Sequence, residues 1–410
     1  PKRSFYDDMI KVTKNKTDKK LSKILVNDSH EVIYWLSKKG LKFVPIKGKQ
    51  SFVVNGVTKY WGGLTLEVKN QGEGLVKSLT NIVKKNGIEI KYEVAAKKLI
   101  KKNNQIKGIG VLNKGNKELI LCNSVILACG GFEANSKMRS KYLGKGWDKA
   151  KVRGTKHNTG DGLNMAFEHD AARYGEWNGC HAVFHDMNGP KFSDLKIAAK
   201  YRKISYPWGI VLNANGKRFV DEGEDLRNYT YAKFGREVIK QPKQFAWQIF
   251  DQKVRPMLYN EYDVKSATKV KANSLEDLVK KLKGVNANKA LSTILKYNQS
   301  VNTKVKFDPT IKDGKNTKGL KINKSNWANK IDKSPFYAFG VTCGITFTFG
   351  GLKINNKCEV LDNRKKPIKG LYAAGEMVGG IFYLNYPGGS GLMSGSVFGR
   401  IAGKYAAKLS

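Results

Sequence analysis

Acidic residues are scarce in this chain: 34 Asp and Glu stand against 75 Lys and Arg over 410 residues, for a formal charge of +41. The excess has no focus. Lysines run from Lys2 to Lys408 among many asparagines, with no basic helix and no aromatic-stacking module. It therefore reads as a compositional bias, and no specific nucleic-acid partner is expected. What survives is a positive field that would draw in a small polycarboxylate. Cysteine is also thin: Cys122, Cys129, Cys180, Cys343 and Cys358 form no CxxC pair. Their odd number argues against a disulfide frame or a zinc site and for a reducing, cytoplasmic setting, and no metal is expected. No apolar run reaches the ~18 residues of a membrane span. Nor is the start, Pro1 to Asp8, a signal peptide. Finally, there is no GxGxxG turn anywhere, so the usual cradle for a dinucleotide pyrophosphate is missing.

What the chain does have is glycine in telling places. Gly370-Leu-Tyr-Ala-Ala-Gly-Glu376 reads as a buried strand, a tight turn at Gly375, and a carboxylate on Glu376 where a ligand hydroxyl could bond. Ten residues on, Tyr386-Pro-Gly-Gly-Ser-Gly391 opens a helix, so Gly388, Gly389, Ser390, Gly391 and Leu392 can offer amides to a ligand that comes close. Upstream, Val125-Ile-Leu-Ala-Cys-Gly-Gly131 is a short strand ending in Gly130 and Gly131. Between these, Asn158, Thr159, Gly160, Asp161 and Gly162 form a turn that feeds an amphipathic helix through Leu163, Met165, Ala166 and Phe167. Asp161 is equally suited to cap that helix.

In this order, the glycine segments resemble the flavoprotein family of soluble fumarate reductases, ketosteroid dehydrogenases and tricarballylate dehydrogenases. The resemblance implies FAD as cofactor, and it implies that the segment from Phe5 onward lies downstream of a GxGxxG turn. The expectation is an α/β fold: a Rossmann-like, glutathione-reductase-type FAD-binding domain, N-terminally truncated by its first βαβ unit, with an inserted α+β capping domain. Helical periodicity at 5–43 and 74–85, alternation at 88–111 and the glycine motifs assign 1–173 and 347–410 to the FAD-binding domain. The aromatic-rich, irregular text of 174–346 becomes the cap, with helices at 274–282 and 290–302.

Candidate chemistry sits mostly in the cap. The run 211–222 reads as a strand, an Asn-Gly turn and a second strand ending in Glu222. The resemblance makes Glu222 a proton-relay carboxylate with Arg227 as its partner, and makes Arg255, after the strand and turn of 245–255, the group that exchanges a proton with substrate. His181 matches a carboxylate-binding histidine, with His157 and His185 read as lining the site and His169 as lying on a helix surface. Phe347 and Tyr386 replace a histidine and an arginine of fumarate reductases. Losing these donors points away from fumarate and toward the tricarballylate dehydrogenases. The implied reaction removes hydrogen from a carbon–carbon bond of a small polycarboxylate, with a membrane- or quinone-linked electron acceptor left open. A ketosteroid-type or fumarate-reductase-like flavin dehydrogenase and, from another class, a non-catalytic basic binding protein are the alternatives.

Overall fold

Helical periodicity at the start of the chain becomes two helices, Lys2–Val12 and Lys19–Lys38, in a computed structural model that describes residues 2–46, 51–54, 56–60, 66–194, 196–197 and 199–409. Asp18 caps the second helix by accepting from the amides of Lys20 and Leu21 at 2.9 and 3.1 Å. Such caps contribute ~1 kcal/mol. Leu21, Leu25, Val32 and Leu36 form its buried stripe, and they share a core with Val397 and Phe398 of the last long helix, Ser390–Ala406. Burying side chains of this size stabilises by ~1.5–3 kcal/mol each.

The alternating text near 100 folds as an antiparallel meander, Val94–Lys102, Gln105–Asn113 and Asn116–Leu121. Its two turns place Asn103, Asn104, Lys114 and Gly115 at positive φ, as two-residue hairpin turns require. Val125–Leu127 pairs in parallel with the end of Pro367–Ala373, and Glu359–Leu361 flanks that strand antiparallel on its other side. Both strand ends lead directly into glycine turns.

The middle of the chain is organised by one strand, Phe336–Thr348, whose 13 residues span ~40 Å. It pairs with Cys180–Asp186, Ala246–Phe250, Lys269–Ala272 and, in parallel, Lys151–Val152, while Ile210–Asn213 extends the sheet beyond Ala246–Phe250. Cys180–Asp186, Ile210–Asn213 and Ala246–Phe250 are buried at every position. Hydrophobic clusters around Phe184, Tyr206 and Trp327 and around Trp247, Leu278 and Ile294 account for that two-sided burial. A separate core joins residues from both chain ends, Met9 to Ala171 with Phe349 to Ala406; among the described residues from between, Ala232 is buried in it and Trp177, Tyr231 and Phe347 pack against it. Lys151–Val152 joins the middle sheet although it precedes 174.

The hairpin expected at 211–222 forms only in part. Gly216 N donates to Asn213 O at 2.9 Å, but past the turn a single bridge, Leu212 to Arg218, replaces a second strand. Arg218 instead turns its guanidinium onto Glu222 and the Ile322 carbonyl, so the arm peels away.

Candidate active site

The long strand Phe336–Thr348 ends where the two cores meet, and its last residues form one wall of a cavity of about 1330 Å³. Thr346 and Phe347 line it from the strand, His181 from the neighbouring strand in register with Phe347, and Tyr386 with Gly388, Gly389, Gly391 and Leu392 from the helix opening. Gly389 precedes the helix at φ 88°, a conformation that favours glycine. Behind this wall, Glu376 accepts from the Thr348 amide at 2.6 Å and its hydroxyl at 2.9 Å. A Cβ on Gly131 would collide with both Thr348 Oγ1 and Glu376, so only glycine lets these segments approach.

Glu133, two residues on, is buried and takes a hydrogen bond from Asn158. Burial and the adjacent Glu376 push its carboxyl well above the usual range; burial likewise raises Glu376, against its bonds from Thr348. Asn158 thus serves to hold a carboxyl in place. Thr159 Oγ1 donates to Asp161 at 3.0 Å, Gly160 at φ 81° is the residue before the helix Asp161–Phe167, and Asp161 is the first residue of that helix. A Cβ on Gly162 would strike Cys129, and Gly130 and Gly375 lie at positive φ.

A row of three polar rings crosses the cavity. Tyr231 donates to the Tyr386 hydroxyl at 3.3 Å, and Tyr386 bonds His181 Nδ1 at 3.0 Å. His181 is 1% exposed, and burial, Arg153, Arg236 and Arg202 hold its pKa well below 6.5. The ring is therefore neutral near pH 7. With the tyrosine donating to Nδ1, its proton belongs on Nε2, which has no partner among the described residues. That makes His181 a donor toward the cavity.

Three arginines complete the lining. Arg202 bonds Glu261 at 2.6 Å and stands over the Tyr259 ring at 5.5 Å. Arg153 donates to Thr346 Oγ1 at 3.2 Å. Arg227, only 4% exposed, lies over the Tyr259 and Tyr231 rings at 5.3 and 5.9 Å. Its 3-10 turn, Arg227–Tyr229, is tied to the glycine segment: Gly388 N donates to Asn228 O at 3.2 Å, and Asn385 donates to Tyr229 O.

Three sequence-predicted groups, Arg255, Glu222 and His185, do not line this cavity. Arg255, in the 3-10 turn Arg255–Met257, pairs with Asp263 and stacks on Tyr337 at 5.5 Å, because the chain leaves Phe250 through a turn fixed by Asp251 and faces it outward. Glu222 folds back on its own strand, accepting from Val211 N at 2.8 Å and pairing with Arg218, so its relay with Arg227 is not formed. His157 lines the exposed part of the cavity. His185, expected there, is instead buried within the strand Cys180–Asp186, with burial and Arg153 lowering it to about 3. His169 bonds the Leu99 carbonyl. Arg153, Arg202 and Glu133 were missed. Only Arg153 carried a signal, its place just before the 158–162 turn. No cluster of ligands suited to a metal occurs among the described residues.

The glycine turns, Glu376 and the amides at Ser390 fit the ring and ribityl side of a flavin: they combine close backbone approach, hydrogen-bonding groups and a helix N-terminus. Comparison with known proteins points to the same cofactor, FAD. A probable fumarate reductase of Shewanella frigidimarina, Ifc3, is 30% identical over 410 residues, 98% of this chain and 64% of that protein. The chain thus spans less than two thirds of that relative's length. The open conformation of a flavocytochrome c3 fumarate reductase superposes with a TM-score of 0.73 at 26% identity, covering 100% of this chain and 67% of the other. A 3-ketosteroid Δ1-dehydrogenase from Sterolibacterium denitrificans shares the fold, with a TM-score of 0.74 at 20% identity over 100% and 89% of the two chains. The profile of the FAD binding domain family matches residues 1–392, and the chain belongs to that family of flavoproteins.

Proposed function

We propose that this chain forms the ring-side and substrate-side part of an FAD-dependent oxidoreductase acting on a carbon–carbon bond next to a carboxylate, with tricarballylate to cis-aconitate the reaction it fits best. The observation that carries the reading is the cavity itself: Arg153, Arg202, Arg227 and the donor His181 face the glycine-opened helix. Bound FAD would supply hydride acceptance from the substrate carbon. His181 Nε2–H holds a carboxylate and sets the carbon's orientation. Arg227 replaces Arg255 as the group that exchanges the proton, because it is buried, lines the cavity and is braced against the glycine turn.

Relatives named fumarate reductase favour a second reading, in which the same groups reduce an unsaturated acid. Anaerobic spectra of FAD-loaded protein separate the two. Bleaching by tricarballylate and not by a 3-ketosteroid supports the proposal; oxidation of the reduced flavin by fumarate, without bleaching by tricarballylate, supports the second. Indifference to every carboxylate refutes both.

A further inference from the structure

Arg153 enters the cavity by a route that no cofactor motif explains. Lys151–Val152 runs parallel to Gly344–Ile345 in the middle sheet, and Arg153 N still donates to Ile345 O at 2.7 Å. The chain then leaves the sheet at Gly154, so the arginine stands at the strand's end beside Thr346. Thr346 takes Nη1 at 3.2 Å, while Nε is buried and has no partner among the described residues. The edge formed by Nε and Nη2 is the one that grips a carboxylate side-on with two parallel hydrogen bonds.

The surroundings press for an anion there. Burial, then Arg202, lower the pKa of Arg153, and Arg153 in turn depresses both His181 and His185. Glu261 already answers Arg202; of the other acids lining the cavity, Glu73 and Asp194 are exposed and Glu67 is half-buried. Phe347, adjacent to Thr346, offers no donor. A guanidinium half-sunk among other cations is costly unless a ligand anion offsets it.

We infer that Arg153 is a specificity-determining residue: oriented by Thr346, it clamps a second carboxylate of the substrate and selects polycarboxylates over monocarboxylates. The inference rests on the carboxylate reading above and deepens it.

Isothermal titration of the full chain supplied with FAD tests it, using tricarballylate and butyrate as ligands and Arg153→Gln, Arg153→Lys and Thr346→Val as variants. A charge-assisted pair of this kind should make Arg153→Gln bind tricarballylate about 10- to 100-fold more weakly. Butyrate affinity should stay within about twofold, since it lacks the second group. Lysine should restore only part, because it lacks the fork. Thr346→Val, which keeps the charge but frees the guanidinium, should lose about threefold or more for tricarballylate alone. Equal losses for both acids, no loss, or a wild type that does not prefer tricarballylate overturns the inference. Flavin spectra keep the two readings apart. Arg153-dependent binding with a flavin that no carboxylate bleaches upholds the clamp and rejects the proposed reaction; bleaching by tricarballylate that is equal in wild type and Arg153→Gln, with equal affinity, rejects the clamp alone.

Discussion

Tyr386→Phe removes one oxygen from the middle of the ring row, and the structure says what that should cost. The hydroxyl accepts from Tyr231 at 3.3 Å and bonds His181 Nδ1 at 3.0 Å. Each bond is worth ~1 kcal/mol net, the longer one less. Leaving the buried Nδ1 without a donor adds ~1–3 kcal/mol. The total, about 2–4 kcal/mol, is a large part of the ~5–15 kcal/mol that holds a native protein together. Urea unfolding followed by circular dichroism should show a lower midpoint with an unchanged slope. Combining Tyr386→Phe with His181→Leu removes the orphaned nitrogen as well, so the double variant should cost ~1–2 kcal/mol less than the sum of the singles. Additivity within ~0.3 kcal/mol would show that the hydroxyl and imidazole do not depend on each other. Histidine nitrogen NMR gives an independent check: wild-type His181 should carry its proton on Nε2 and stay neutral as pH falls through the ordinary imidazole value of 6.5, because burial and the arginines hold it well below that.

Further outcomes follow from the same geometry. In FAD-loaded protein, Arg227→Lys should lower kcat by at least ~10²-fold with flavin retained, whereas Arg255→Lys, whose partner Asp263 is half exposed, should stay within about twofold; steady-state kinetics ranking them the other way would return the proton to Arg255. Glu133→Gln should change the pH dependence of stability. The native carboxyl, raised above its usual 4.5 by burial and Glu376, binds more proton than the unfolded one, so its contribution falls as pH climbs from 4.5 through the raised value. Melting temperatures of wild type should therefore drop relative to Glu133→Gln across that window, and a constant difference would count against the carboxyl pair. Gly131→Ala, which drives a methyl into Thr348 and Glu376, should cost ~1–3 kcal/mol and weaken FAD uptake in a fluorescence titration; wild-type stability and uptake would mean that the close approach is not required.

Much of the frame was legible because local chemistry spells it. Gly160, Gly375 and Gly389 occupy positive φ, and their residue type announced the turns. Helix stripes at 19–38 and strand runs at 125–127 and 367–373 needed only periodicity and apolar content. Where the reading failed, side-chain pairing overrode the local pattern. The turn after Phe250 looks like a proton-donor turn, yet Asp263 and Tyr337 determine that Arg255 faces outward. Asn-Gly at 215–216 does make its turn, but Arg218 finds Glu222 and Ile322 O, and the second strand is lost. Arg153, Arg202 and Arg227 reach the cavity from a strand end, a loop and a 3-10 turn. No spacing encodes such a meeting.

Charge illustrates the same limit and helps choose between substrates. Spread over the surface, +41 says little, because solvent and salt screen it. Inside the cavity the balance is different: three guanidinia line one space, Glu261 is already engaged by Arg202, and His181 is kept neutral by burial and by the field of its neighbours. An uncharged steroid ketone would fill the space and leave those cations desolvated without compensation, which is expensive for each. A ligand with carboxylates on neighbouring carbons can meet Arg153 and the Nε2 proton of His181 at once. Burial therefore turns an uninformative excess of lysine and arginine into an argument for a polyanionic substrate.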